Sequence, residues 1–532
     1  MYRPCIPNRD SGIIRTMKSE RKSGPGTVGK ALTAGALLSA AAAVAQPIEH
    51  YHSRHIPAEH LNEAVPFGAM CKTNLSYCIE PDKLADMKRW GVDTIELRLV
   101  WWALEKEKGV FDWSRLDRDV AKVEAGGLKA GLFAWFHIPP PWYRGETFRC
   151  LAHGLPSDTL SPWDPAALDL ADRIYGATAA RYGKRIDFVY VIGSADYGEP
   201  GFPHAVKHYK FSSRHSHKSI DWTGDRYARA AWAKVSDVPL EAVIVGKADR
   251  ATALKYCDFY ADRTARYCAE VYAIGRRKFP WARFGLPVGH HCEYPSGYNR
   301  AEVIKRLCEV STNITVRWTD LGGFRDFARS NVSACRVASA CRFYGCAFGE
   351  ETSHPLIFGD ENLSNHASYE LIANATSMLH NDYPCIRSAG ERNRARMRDF
   401  PRSPRVCDVA VLWPDIDEKL FAVSRAKSTG DGFTEAFVRK AGEFRKRSDY
   451  WICDTMMIRD GFLEKTGIRK VVALFPIPPE TERELKAFRA AGGVVSDGSD
   501  FPPPPDPLVY RTVHRDFTSE FNPATGEIRY IQ

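Results

Sequence analysis

Two acidic signatures, roughly 150 residues apart, carry the side chains best suited to chemistry in this sequence. They are SADYGEPGFP (194–203) and AFGEETSHP (347–355), and each follows a short apolar run that is typical of a β-strand. Carboxylates at the carboxyl ends of two strands are how a (β/α)8 barrel assembles a pair of catalytic acids. Two acids that face one bond are the groups that hydrolyse a glycosidic linkage.

Within each signature two carboxylates compete for one role. Glycosidic cleavage needs a proton donor for the leaving oxygen and a second carboxylate that attacks the sugar carbon or activates water. We predict Glu199 as the acid/base, with Asp196, nearer the strand end, as the alternative. Adjacent residues of an extended segment point to opposite sides, so only one of Glu350 and Glu351 faces the site. We predict Glu350 as the nucleophile, or as the base if the enzyme inverts; surface acids or helix caps are the alternative for both signatures.

Further polar and aromatic side chains lie at predicted strand ends and would line the opening of the barrel beside the two acidic signatures. Arg98 either keeps a catalytic carboxylate ionised or forms an ion pair inside the barrel. Aromatic faces pack well against sugars, although core packing is the alternative for any single tryptophan. The histidines and cysteines lack metal-binding spacing, so no metal and no cofactor is predicted. The predicted substrate-binding residues are Arg98, Trp102, Trp135, His137, Trp142, His290 and Trp318.

The segments that must position these residues alternate between strand-like and helix-like patterns. The predicted strands are 65–70, 92–101, 128–137, 186–193, 283–289, 314–318, 342–349 and 383–388, with helices between them. This repetition predicts an α/β protein whose residues 60–392 form a (β/α)8 TIM barrel. Residues 405–500 predict a smaller flavodoxin-like α/β domain without a G-x-G-x-x-G dinucleotide motif. Residues 501–532 predict a proline-rich linker and a terminal β-hairpin.

The amino-terminal 45 residues predict a secretory signal peptide. Basic residues precede the apolar run 31–45, and Ala43-Val44-Ala45 fits a cleavage site, which would send the protein to the periplasm or the exterior. An uncleaved anchor is the alternative. The formal charge of +9 falls to +4 without this segment, because 67 basic and 63 acidic residues remain. That excess is too mild to predict a nucleic-acid partner.

Export would expose the cysteines to an oxidising compartment. The chain has 14 cysteines, of which 13 remain once Cys5 is removed with the signal peptide. An odd number leaves at least one thiol without an intramolecular partner. Cys71 with Cys78, and Cys335 with Cys341 or Cys346, are close enough in sequence to pair.

The segment 92–117 resembles the family-42 β-galactosidases and related retaining barrel glycosidases. Its matching residues are Arg98, Trp102, Leu104-Glu105, Gly109, Phe111-Asp112 and Leu116-Asp117. PPPWYRG (139–145) is similar to the region after the third strand of those enzymes. Segments 454–475 and 484–495 resemble their trimerisation domain, a glutamine-amidotransferase-like α/β unit. The resemblance spans roughly residues 65–500 and implies a barrel hydrolase with oligomer contacts through the second domain.

The first acidic signature departs from the family pattern. Where that family has Asn-Glu-Tyr-Gly, this sequence has Ala195-Asp196-Tyr197-Gly198, followed by Glu199. Either Asp196 serves as a shorter acid or the role moves to Glu199. The G-x-x-x-x-G-E-P pattern (193–200) is also similar to the acid strand of β-amylase-like inverting barrels. We therefore expect an exported hydrolase of O-glycosidic bonds in oligo- or polysaccharides, with a non-catalytic carbohydrate-binding barrel as the alternative.

Overall fold

An eight-stranded sheet is the largest element of the computed structural model. Its strands are β1 (Ala64–Phe67), β2 (Thr94–Val100), β3 (Lys129–Trp135), β6 (Ile186–Tyr190), β7 (Arg283–Val288), β8 (Thr315–Asp320), β9 (Ala347–Thr352) and β10 (Met378–Asn381). A separate antiparallel pair, β4 (Thr147–Arg149) and β5 (Pro156–Leu160), lies between β3 and β6 in the chain. The structure describes residues 64–67, 79–89, 92–152, 154–194, 198–203, 219–289, 293–320, 327–352, 369–370, 373–374, 378–381, 405–424 and 431–532.

The strand order is that of a (β/α)8 barrel. The strands follow one another as β1-β2-β3-β6-β7-β8-β9-β10, and all six pairings from β2 to β10 are parallel. β1 also lies against β10, so the two ends of the sheet meet. Helices cover the outside, which is why β2 is buried along its whole length.

The first strand departs from the predicted barrel. A (β/α)8 barrel predicts that the strand at 65–70 runs parallel to the next one, but β1 pairs with β2 in the antiparallel direction, with Ala64 opposite Leu97. An antiparallel partner satisfies the backbone groups at this side of β2 as well as a parallel one does. The six parallel pairings nevertheless support the predicted barrel architecture.

The helices of the barrel region alternate with its strands. They are α1 (Pro81–Arg89), α2 (Trp101–Leu104), α3 (Ser114–Ala125), α4 (Ala166–Tyr182), α5 (Arg226–Trp232), α6 (Leu240–Ile244), α7 (Arg250–Lys278), α8 (Arg300–Val310) and α9 (Phe327–Tyr344). Short 3-10 turns lie at Gly183–Arg185, Ser219–Trp222 and Tyr294–Ser296. Within the described ranges, no helix combines the length and the apolar character that a bilayer crossing requires.

The seventh and eighth strands lie elsewhere than the sequence predicted. Residues 342–344 belong to the end of α9, because Gly345 adopts φ 93° and terminates that helix. β9 therefore begins at Ala347 and continues through both glutamates of the second signature. The eighth strand is Met378–Asn381, inside a segment predicted to be helical, while the predicted strand 383–388 lies outside the described residues.

A second α/β unit follows the barrel. Its strands β11 (Val409–Leu412), β12 (Trp451–Cys453), β13 (Lys470–Val472) and β14 (Val494–Ser496) form a parallel sheet in the order β12-β11-β13-β14. Its helices are α10 (Asp415–Val423), α11 (Asp431–Arg445), α12 (Thr455–Arg459), α13 (Phe462–Lys465) and α14 (Pro479–Ala490). The tail is a three-stranded antiparallel sheet, one strand more than the predicted hairpin: β15 (Tyr510–Val513), β16 (Thr518–Asn522) and β17 (Glu527–Ile531).

A buried ionic network joins the second unit to the barrel. We call Glu293, Arg300, Arg336 and Asp454 the junction cluster. Glu293 accepts hydrogen bonds from both guanidinium groups, at 2.8 Å from Arg336 Nε and 3.2 Å from Arg300 Nη1. Arg336 also donates to Asp454, which lies beyond β12 in the second unit. All four side chains are completely buried, so their charges depend on one another for stabilisation.

Candidate active site

The interior face of the barrel carries charged residues on β2, β8 and β9. Residues that lie opposite each other in neighbouring parallel strands point to the same face of the sheet. Arg98 lies opposite Phe133, and Thr319 lies opposite Glu351, and all four are on the interior face. We call Glu96, Arg98, Arg317 and Glu351 the interior cluster. Glu96, Arg98 and Arg317 alternate with apolar residues along β2 and β8, whereas Glu351 follows Glu350 on β9.

Arg317 and Glu351 form a buried ion pair at the centre of this cluster. Arg317 Nη2 lies 2.6 Å from Glu351 Oε2, and the two side chains are 5% and 0% exposed. The Thr319 hydroxyl donates to the same oxygen at 3.3 Å. Arg317 also donates to the Tyr190 hydroxyl at 3.3 Å and stacks over that ring. These contacts orient Glu351 and place one positive charge against its carboxylate.

Glu96 and Arg98 form the second half of the interior cluster. Arg98 Nε donates to Glu96 Oε1 at 3.3 Å, and its guanidinium lies 5.1 Å from the centre of the Trp135 ring. Burial raises the pKa of Glu96, although the charges of Arg98 and Arg317 act in the opposite direction. The negative charge of Glu351 adds to the increase, so the two carboxylates interact electrostatically.

Glu199 approaches this cluster from the loop after β6. Gly198 adopts φ 77°, and its carbonyl accepts a hydrogen bond of 2.7 Å from the Gly193 N–H, so the chain reverses tightly before Glu199. The carboxylate of Glu199 lies against Gly289, directly after β7, where a Cβ atom would overlap both of its oxygens. The side chain is about 7% exposed.

Arg317 is influenced by the negative charges of both Glu351 and Glu199. Burial favours the neutral form of Arg317, but negative charge around it raises its pKa overall. Glu351 makes the largest electrostatic contribution, followed by Tyr190, Glu96 and then Glu199. Arg317 therefore responds mainly to its ion pair with Glu351, and less to Glu199 in the loop after β6.

The structure puts Glu351, rather than Glu350, on the interior face. Glu350 is in register with Trp318, whose ring lies beneath the guanidinium of Arg300 from α8, at 4.9 Å. Alternation then directs Glu350 towards the helices and Glu351 towards Arg317. Both are buried, at 1% and 0% exposure. This placement does not support the prediction that Glu350, rather than Glu351, is the nucleophile or base. Which of the two is catalytic stays a prediction.

The other predicted site residues fall into three groups. Arg98 and Trp135 belong to the interior face, and the buried His137 ring lies 5.7 Å from that of Trp135. Trp102, in the helix α2 directly after β2, and Trp142, in the chain after β3, are half-buried and pack against the main core. Trp318 faces α8, away from the interior cluster. Asp196 and His290 lie outside the described residues.

Glu105, part of the family-like segment, has a structural role. It accepts hydrogen bonds from Arg173 at 2.6 and 2.8 Å, from the Trp101 indole at 2.6 Å and from the Gly109 N–H at 2.6 Å. Burial opposes its ionisation, yet these donors lower its pKa overall. The Trp142 indole N–H donates to its carbonyl oxygen at 2.8 Å. This network fixes α2 and the loop after it against α4.

Sequence reasoning missed four residues of the interior face: Glu96, Tyr190, Arg317 and Thr319. For Glu96, Arg317 and Thr319 the signal is a charged or polar residue at every second position between apolar ones, as in IELRLV (95–100) and VRWT (316–319). Tyr190 carries no such signal. Among the described residues there is no group of three or more His, Cys, Asp or Glu side chains that could hold a metal ion.

No protein-family model matches the sequence, and no curated protein matches it. Solved structures match its fold. The cold-adapted β-galactosidase from Rahnella sp. R3 aligns with a TM-score of 0.55 at 13% identity, over 80% of this chain and 72% of that one. A catalytic mutant of Gan42B, a GH42 β-galactosidase from G. stearothermophilus, gives 0.55 at 13% identity, over 84% and 76%. The β-galactosidase from Halorubrum lacusprofundi gives 0.54 at 14%, over 81% and 74%. The chain therefore has the fold of GH42-type β-galactosidases.

Proposed function

We propose that the protein is a glycoside hydrolase that cleaves O-glycosidic bonds of oligo- or polysaccharides, with β-galactosides as the first substrates to test. The observation that carries the proposal is the placement of two buried carboxylates. Glu351 on β9 is paired with Arg317, and Glu199 in the loop after β6 lies against Gly289, two residues beyond the Pro287 that is in register with Arg317. A glycosidase needs two carboxylates in different protonation states on either side of one bond. The fold shared with β-galactosidases supports the same conclusion.

The two carboxylates take different roles because their surroundings differ. Glu351 receives hydrogen bonds from Arg317 and Thr319, which favour the ionised form that a nucleophile or base requires. Glu199, or Asp196 in its place, supplies the proton to the leaving oxygen. In a retaining enzyme Glu351 would attack the anomeric carbon; in an inverting enzyme it would activate water. Glu350 is the alternative for this second role.

A substrate panel with matched variants tests the proposal. Purified wild type is compared with Glu199→Gln, Asp196→Asn, Glu350→Gln and Glu351→Gln on nitrophenyl glycosides, β-galactosides first, and on oligosaccharides. We expect wild-type turnover, an activity loss of about 10²–10⁴-fold in one variant of the first pair, and a comparable loss in Glu351→Gln. Proton NMR of the first-formed product anomer separates retention from inversion. Wild type without turnover on every substrate would contradict the proposal.

One observation favours a second candidate, a non-catalytic carbohydrate-binding barrel. Glu351 is completely buried and held by Arg317, an arrangement that also stabilises a barrel interior without chemistry. Binding without hydrolysis in the same panel, measured by calorimetry with the unlabelled sugars, would support this candidate.

Export and oligomer contacts complete the proposal. Residues 1–45, which lie outside the described residues, are proposed to be removed as a signal peptide, so that the mature chain starts at Gln46. Amino-terminal sequencing of protein from the producing cell's exterior or periplasm tests this. The second unit has the strand order 2-1-3-4 of flavodoxin-like sheets, and we propose that it mediates contacts between copies of the chain. Light scattering tests this through the mass in solution.

A further inference from the structure

The three-stranded sheet of the tail has one covered edge and one open edge. At β15, Arg405 forms a bridge with His514, and the Val406 N–H donates to the Val513 carbonyl oxygen at 2.8 Å. At the other edge, β17 pairs with β16 alone among the strands that the structure describes. Four of the five β17 residues are exposed, and Ile528 is half-buried. The outer side of β17 is therefore accessible to a further strand.

The outer face of this sheet carries a row of alternating charges. Arg511, Glu520 and Arg529 lie opposite one another on β15, β16 and β17. Arg511 Nε lies 3.2 Å from Glu520 Oε1, which neutralises the inner part of the row. Arg529 Nε lies 2.8 Å from Glu527 Oε1 of its own strand, and these two side chains are 66% and 49% exposed. The row thus ends at the open edge with two solvated charges of opposite sign.

The inner face of the same sheet carries a row of apolar residues. Tyr510, Phe521 and Ile528 lie opposite one another on the three strands. Tyr510 and Phe521 are buried, and their rings stack with centroids 6.4 Å apart. The ring of Tyr369 stacks on Phe521 from the barrel region, at 5.2 Å. Ile528, the outermost member, is only partly covered, so this row also continues to the open edge.

We propose that β17 pairs with β17 of a second copy of this chain, antiparallel and centred on Ile528, to form one continuous sheet of six strands. In this register Ile528 meets Ile528 of the second copy, and Arg529 of each copy meets Glu527 of the other. The charged row and the apolar row both continue into the second copy. Tyr530 and Ile531, which are 49% and 42% exposed, then lie beside the turn 523–526 of the second copy.

Charge selects this register among those that two identical strands can adopt. Residues that lie opposite each other must share a face of the sheet, so a two-fold pairing is centred on a residue. A centre at Glu527 would put two carboxylates opposite each other, and a centre at Arg529 would do the same with two guanidinium groups. A centre at Tyr530 would put Arg529 opposite Ile531. Of the centres within β17, only Ile528 places opposite charges across the contact, so the edge is complementary to itself.

Charge reversal in the full chain tests the pairing. Arg529→Glu puts two carboxylates opposite each other at both positions of the contact, and Glu527→Arg puts two guanidinium groups there. We expect either variant alone to weaken association by about tenfold or more. A mixture of the two variants brings Glu opposite Arg at both positions again, so association should return. Sedimentation equilibrium at up to about 100 μM measures the mass, because such a small contact is at the weak end of protein interfaces.

Arg511→Glu is the matched control, because it reverses a charge on the same face but on β15, two strands from the open edge. This variant should associate as wild type does. Contacts through the second unit do not involve β17, so any mass that they add should be the same in every variant. Three results would each overturn the proposal: a wild type with the mass of a single chain throughout, equal association of wild type and Arg529→Glu, or a mixture that associates no better than its components. In the first case a different strand would be the partner of this edge.

Discussion

The junction cluster and the interior cluster are both buried groups of two arginines and two carboxylates, but their hydrogen bonds are distributed differently. Glu293 of the junction accepts from two guanidinium groups and from the Arg300 N–H at 3.0 Å. Arg317 of the interior instead divides its donors among Glu351, Tyr190 and Thr319. In the junction cluster, two positive charges face one carboxylate. In the interior cluster, one guanidinium donates to residues on three strands, β6, β8 and β9.

The protonation of the carboxylates follows from this difference. Burial opposes the ionisation of Asp454 in the junction, yet the charge of Arg336 and hydrogen bonds from Met457 and Asn299 lower its pKa overall. Burial raises the pKa of Glu96 in the interior despite two arginines nearby. A lowered carboxyl pKa suits an ion pair that attaches two units, whereas a raised carboxyl pKa suits a site where protons move.

The largest expected effect is the removal of one junction charge. Glu293→Gln leaves Arg300 and Arg336 facing a neutral amide in a completely buried position. We expect the free energy of unfolding to fall by about 3–5 kcal/mol, the range for a broken buried ion pair. Urea unfolding of the full chain measures it. Glu309→Gln, which removes an exposed partner of Arg306, is the control and should change stability by less than about 1 kcal/mol. Equal values for the two variants would contradict the structural role of the junction.

The equivalent change in the interior should separate activity from stability. Glu351→Gln removes a carboxylate that faces one guanidinium rather than two, and the charges of Glu96 and Glu199 still act on Arg317, so we expect a smaller stability loss than in Glu293→Gln, about 1–2 kcal/mol. Hydrolysis should fall about 10³-fold, which corresponds to roughly 4 kcal/mol of activation free energy. Urea unfolding and hydrolysis are measured on the same preparation. Unchanged hydrolysis alongside an inactive Glu350→Gln would show that the interior-face carboxylate is not the reactive one.

Gly289 tests how closely Glu199 must be positioned. A methyl group there would overlap the Glu199 carboxylate, which is the mobile end of a side chain and can shift. Gly289→Ala should therefore lower hydrolysis by up to about 10²-fold with a small change in stability. Gly176→Ala on α4 is the matched control, because its added Cβ meets only Lys278 at 3.6 Å. Hydrolysis that is lowered equally in both variants would argue against a positioning effect.

The barrel could be predicted from sequence because each strand and helix has its own local pattern of apolar residues. The choice between Glu350 and Glu351 could not be predicted, because it depends on how β9 pairs with β8, where Glu351 lies opposite Thr319 and Glu350 opposite Trp318. The junction also left no local signal: Arg336 and Asp454 are 118 residues apart, and only the packing of the second unit brings them together.

A pair of buried aspartates gives the smallest and most specific test of the comparison. Asp225 and Asp454 each accept backbone N–H bonds at the start of a short helix. Their side-chain donors differ: Asp225 accepts from the Ser161 hydroxyl, and Asp454 accepts from Arg336.

Burial raises the pKa of Asp225 to about 6, above the unfolded value of about 3.9, so the folded state binds more protons between these pH values. Stability from this group is complete below about pH 4 and is lost as the pH rises through 6, with a slope of up to about 1.4 kcal/mol per pH unit. Asp225→Asn keeps the cap, and the fall in stability with pH should be shallower in this variant than in wild type when urea unfolding is measured between pH 4.5 and 7.5. Asp454, whose pKa is lowered, should contribute in the opposite direction and lose its stabilisation only as the pH falls below the carboxylate range. Burial also raises the pKa of Glu302 and Glu418 to about 7 and that of Asp415 to about 6, so part of the slope should remain in the variant. Equal slopes in wild type and Asp225→Asn would mean that Asp225 takes up no proton in this range.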